Sequence, residues 1–145
     1  MTVTPTPAPS LLRSGNLGIG LCYTGPLARY FVTDRFAIEL RDYITDDATI
    51  ISPRLVGLFD LPKTDLYEFC YYGVEAGRVN FRGRVSRGGG TTAGCFVGIE
   101  KEIFKDIMLN VDVGPYWISI KDNQTGIRET GVDFVINSSV CWMLR

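Results

Sequence analysis

Polar and apolar residues alternate along most of this 145-residue chain, and glycine, aspartate and asparagine interrupt the alternation at short intervals. A period of two marks strands whose two faces differ in character. It predicts eight strands: Leu17 to Tyr23, Pro26 to Val32, Phe36 to Ile44, Thr49 to Phe59, Leu66 to Asn80, Thr91 to Glu100, Ile107 to Lys121 and Gly131 to Leu144. Thr24-Gly25 and Thr33-Asp34-Arg35 read as tight hairpin turns. No helix of useful length competes, beyond a brief turn at Ile103 to Ile107. Met1 to Asn16 carries Pro5, Pro7 and Pro9 among Thr, Ala and Ser, and reads as a flexible tail. The rest, residues 17–145, is expected to form one all-β domain, an antiparallel up-and-down barrel.

The connections are expected to alternate in length. Thr33 to Arg35, Asp60 to Asp65 and Lys101 to Asp106 are compact, whereas Arg82 to Gly90 and Asp122 to Thr130 are longer and rich in Gly, Ser, Thr and charge. Gly88-Gly89-Gly90 falls in the first of these longer loops. It opens no helix, so it does not read as a phosphate cradle. Short turns on one side and longer loops on the other are the pattern of outer-membrane barrels.

The alternation also sorts residues between the two faces. In the seventh strand Leu109, Val111, Val113, Pro115 and Trp117 oppose Asn110, Asp112, Gly114 and Tyr116. In the eighth, Val132, Phe134, Ile136, Val140 and Trp142 oppose Asp133, Asn137, Ser139 and Cys141. The charged residues Arg29, Glu39, Arg41, Arg54, Glu75, Glu100, Asp112 and Asp133 all take the polar face, and so do Gly18, Gly20, Gly73, Gly77, Gly94, Gly98 and Gly114. Glycine is a poor residue for a strand face lapped by water. Inside a narrow barrel it makes room for long side chains that meet across the axis. The polar face is therefore expected inside as a salt-bridged network, structural or at most a gate, and the apolar face outside toward lipid. Tyr23 and Trp117 near the loop end, with Phe36, Phe59 and Trp142 near the turn end, suit two interfacial girdles. A soluble barrel with its apolar face inward shows the same alternation.

Composition narrows the chemistry. Fifteen basic and sixteen acidic residues give a net charge of -1, and no basic stripe suggests a nucleic-acid partner. No run approaches the ~18 apolar residues of a spanning helix, so crossing a bilayer would require a closed sheet. The chain has no histidine, which removes Ser-His and Cys-His nucleophile pairs. Cys22, Cys70, Cys95 and Cys141 lie far apart with no C-x-x-C. No metal site or cofactor is expected from them, and small apolar fillers are their simplest role. Buried charges must pair to be tolerated, so the interior carboxylates are expected to be structural and the protein no enzyme.

Four segments carry a resemblance: Gly73-Val-Glu-Ala-Gly-Arg-Val-Asn-Phe81, Ala93-Gly-Cys-Phe-Val-Gly-Ile-Glu100, Asn110-Val-Asp-Val-Gly-Pro-Tyr116 and Gly131-Val-Asp-Phe-Val-Ile-Asn137. Across Leu17 to Leu144 the chain resembles small bacterial outer-membrane β-barrel proteins of the OmpA-barrel and OmpX-like type. The resemblance implies an eight-stranded barrel inserted from the periplasm, with a plugged polar interior. Such barrels usually end on an aromatic residue, whereas here Met143, Leu144 and Arg145 follow Trp142.

The expected role is structural or surface-interacting in a bacterial outer membrane. Lipid would surround a monomeric barrel, and the 82–90 and 122–130 loops would meet any surface partner. Met1 to Asn16 lacks a basic start followed by an apolar run, so this location requires an export signal that has been removed or lies outside the sequence. Two alternatives are a soluble lipocalin-like barrel holding a small apolar ligand and a narrow ion-conducting pore.

Overall fold

A computed structural model describes residues 14–59, 66–83 and 87–144. Eight strands follow one another: β1 (Leu17–Cys22), β2 (Gly25–Thr33), β3 (Phe36–Ile44), β4 (Ala48–Phe59), β5 (Phe69–Arg82), β6 (Arg87–Phe104), β7 (Ile107–Asp122) and β8 (Arg128–Leu144). Each pairs antiparallel with the next, and β8 returns to β1 through the rungs Leu17–Leu144 to Cys22–Ser139, closing the barrel. Every expected strand is present, with no helix among the described residues. Residues 1–13, the Asp60 to Asp65 connection, residues 84–86 of the expected Arg82 to Gly90 loop and residue 145 lie outside the described residues.

The turns follow from local chemistry. Thr45 closes the β3–β4 turn by accepting the Ala48 N–H on its Oγ1 at 3.0 Å, while its own N–H donates to Ala48 O at 2.8 Å. Between β6 and β7 the chain reverses through Lys105 and Asp106. Asp106 has a φ of 67°, a left-handed conformation that Asp tolerates better than most residues.

Two of the expected long loops are corrected. Arg87–Gly90 belongs to β6, paired rung by rung with β5 (Arg82–Arg87, Phe81–Gly88, Asn80–Gly89, Val79–Gly90), so the glycine triplet is strand and not loop. Backbone hydrogen bonding does not need side chains, and three glycines leave no alternation to read. Likewise Arg128–Thr130 opens β8, and the β7–β8 link is a compact turn in which Asp122 Oδ1 accepts the Gln124 N–H at 2.7 Å. The described parts of the two surfaces expected to meet a partner, 82–83 with 87–90 and 122–130, thus lie at the ends of long paired strands.

Strand lengths are uneven, and this leaves an edge. Because β1 ends at Cys22, opposite Ser139, the part of β8 from Arg128 to Ser138 pairs with β7 alone among the described residues. Val132, Phe134 and Ile136 on this stretch are 69, 73 and 76% exposed, against 37 to 40% for Leu109, Val111 and Val113 on fully flanked β7.

The faces separate as the alternation requires. Ile19, Leu21, Tyr30, Ile38, Leu40, Leu55, Tyr72, Val74, Val97, Ile99, Val111, Val113, Val140 and Trp142 all point outward, so every strand contributes to an exposed apolar wall. Of the aromatics expected near the two ends, Phe36, Phe59, Trp117 and Trp142 are exposed on that wall and Tyr23 is exposed in the β1–β2 turn. Phe31, Ala37, Val56, Phe69, Tyr71, Phe96, Met108 and Met143 pack inside.

Candidate functional site

The chemistry is concentrated in the lumen. Arg29, Glu39, Arg41, Arg54, Glu75, Glu100 and Asp112 are all buried there. Each sits mid-strand at an inward position of β2 to β7, brought to the axis by the two-residue period alone.

Glu39 is the hub. Its Oε2 accepts from Arg29 Nε at 2.6 Å, and its Oε1 accepts from Arg41 Nε and from Arg54 Nη1 at 3.0 Å. The network then crosses the barrel. Arg29 Nη1 reaches Glu100 on the opposite strand β6, and Arg41 Nη2 lies 3.6 Å from Asp112 on β7. Arg54 pairs through Nε with Glu75 and through Nη2 with Asp112, both at 3.0 Å. The Arg29–Glu100, Arg41–Asp112 and Arg54–Asp112 ties join strands that are not neighbours in the sheet and so brace the barrel across its axis, whereas Arg54–Glu75 links the paired strands β4 and β5.

Among the described residues three buried arginines face four buried carboxylates in this lumen, and neutral donors make up the difference. Tyr71 OH donates to Asp112 Oδ2 at 3.0 Å, Asn137 Nδ2 to Asp112 Oδ1 at 2.9 Å, and Tyr116 OH to Glu75 Oε2 at 2.7 Å. Ser139 Oγ takes hydrogen bonds from Arg41 Nη2 and Asn110 Nδ2. The Arg54 guanidinium also lies 3.6 Å from the centroid of the Phe96 ring, within cation–π range. Tyr71, Tyr116, Asn110, Asn137 and Ser139 occupy the polar face that alternation assigns. Their part in the network was invisible because only formal charge singles out a network member from sequence.

Glycine makes the filling possible. A Cβ on Gly94 would lie 2.7 Å from the Tyr116 ring, and one on Gly98 would collide with the Tyr71 ring. Both rings pass over these glycines, and their hydroxyls reach Asp112 and Glu75.

One expected member is absent. Asp133 has the inward parity of Asn137 and Ser139, but it lies on the exposed upper part of β8 and takes no part in the ion pairs of Arg29, Arg41 and Arg54. Its Oδ1 accepts the N–H of the next residue, Phe134, at 2.8 Å. Parity gave its face correctly, but height along the barrel depends on how far β1 extends, and the alternation carries no information on that.

Among the described residues no group of His, Cys, Asp or Glu is arranged to hold a metal, and Cys22, Cys70, Cys95 and Cys141 are free thiols. Cys22, Cys70 and Cys141 are buried, while Cys95 is exposed on the outer wall. Comparison with family models, with curated proteins and with solved structures gave no match in any of the three.

Proposed function

We propose that this chain is a membrane-spanning barrel of the bacterial outer membrane, with a structural or surface-interacting role and no catalysis. The observation that carries the reading is an inverted polarity: an exposed apolar wall contributed by every strand, around a lumen of ion-paired charge. In water that arrangement places charge where burial is costly and leaves apolar surface solvated. In lipid the cost of the exposed apolar wall disappears, and the charges keep the paired polar lumen as their surroundings. Where β1 closes on β8, from Leu17–Leu144 to Cys22–Ser139, the backbone groups are paired, which is the condition for crossing a bilayer; the edge of β8 from Arg128 to Ser138 is the departure from it. On β7 the outward apolar run from Leu109 to Trp117 suits the roughly 9–11 residues that a tilted strand needs.

The cross-axis ion pairs support a plug over a pore. An apolar ligand would need an apolar lumen, and this one is filled with arginine and carboxylate, so the lipocalin-like alternative has less support. Replacing Val97, Val111 or Phe134 by Arg tests the reading. In lipid vesicles the two central sites, Val97 and Val111, should each cost about 2–4 kcal/mol, with less at Phe134 if it lies nearer the headgroups. All three positions are exposed, so in a water-soluble barrel each change would stay within about 0.5 kcal/mol. That outcome would overturn the proposal.

A further inference from the structure

We infer that the outer rim of β5 to β8 is a binding surface for the phosphate groups of anionic lipid headgroups; this rests on the membrane-spanning reading above. The register stacks the outward side chains of these strands into rungs. The rung Ala76–Ala93–Trp117–Val132 is apolar. The next, Arg78–Thr91–Ser119–Thr130, carries one cation and three hydroxyls, of which Ser119 is buried and accepts from Thr130 Oγ1, and the one beyond it is Asn80–Gly89–Lys121–Arg128. Past that, Arg82 faces Arg87 across the β5–β6 hairpin.

Arg78, Arg82, Arg87, Lys121 and Arg128 are exposed, on the same face as the apolar wall. Two of the cross-strand pairs, Arg82–Arg87 and Lys121–Arg128, set like charges directly opposite each other, a placement that destabilises a sheet unless something anionic lies against it. The acidic residues of these strand ends do not supply that charge, because Asp122 and Glu129 have the inward parity. Asp46 and Asp47 share a groove with Arg82 alone of the five. Cations therefore point out and carboxylates point in, at the height where the apolar wall gives way to hydroxyls. Anionic headgroups attract basic side chains at this level of a bilayer.

Trp117, one rung below the hydroxyls, is a built-in reporter once Trp142 is replaced by Phe. The Trp142→Phe protein is inserted into phosphatidylcholine vesicles containing equal mole fractions of either brominated phosphatidylglycerol or brominated phosphatidylcholine, and bromine quenching of Trp117 is compared. The expected result is quenching about twofold stronger with the anionic lipid, lost when Arg87, Lys121 and Arg128 are all changed to Gln. Equal quenching by the two lipids, or a preference that survives the triple change, would overturn the inference while insertion itself stands. Loss of the preference on adding inorganic phosphate at constant ionic strength would identify a free-anion site, and would also overturn it. Failure to insert into either vesicle would remove the membrane reading beneath it.

Discussion

Glu39 touches three arginines and is fully buried. Breaking a buried ion pair from one side costs more than the pair contributes, because the remaining charge stays buried without compensation. Glu39→Gln keeps the shape and removes the charge that Arg29, Arg41 and Arg54 share. The expected loss is about 3–5 kcal/mol of unfolding free energy, read from urea titrations in lipid vesicles. A loss below about 1 kcal/mol would put Glu39 in the class of solvent-screened pairs and contradict its role as hub. At this scale the sequence was informative wherever charge or glycine marks the polar face. The aromatic members were not legible, since Tyr71 and Tyr116 join the network only because Gly98 and Gly94 let their rings pass over them.

Among the described elements, the upper half of β8 departs from a closed sheet. Exposed edges invite pairing with other chains, and a charged side chain on the edge is one way of blocking that. Asp133 fits this description: its carboxylate occupies the Phe134 N–H, a donor that an incoming strand would need. Asp133→Ala is therefore expected to leave stability within about 0.5 kcal/mol of the parent but to raise self-association, measured by sedimentation in detergent micelles. A stable monomer would contradict the guarding role, and a large loss of stability would return Asp133 to the interior network. The periodicity marked where the strands lie to within a few residues and missed how far they run. Gly88, Gly89 and Gly90 carry no side-chain pattern, and strand length on one side of a hairpin is set by the partner's backbone. The exposed edge is a consequence of those lengths, so it could not be read from the alternation.

For the molecule as a whole, alternation alone does not say which face turns inward. Glycines and charges sharing one face settled the expectation, and the barrel has that polarity: ion pairs across the axis, aliphatic and aromatic side chains around the outside. The physical reason is volume, since a lumen of eight strands is just wide enough to be filled by side chains. Arginines that span it need glycine or small neighbours on the facing wall. The environment outside the barrel is what the sequence could only suggest, because an exposed apolar wall is stable in one solvent and a liability in another. The most direct measurement is refolding. The urea-unfolded chain is diluted into plain buffer and, in parallel, into buffer with lipid vesicles, and protease-resistant β-structure is recorded in each. The account predicts cooperative folding only where lipid is present, with aggregation in its absence. A monomer that folds cooperatively in plain buffer would contradict it.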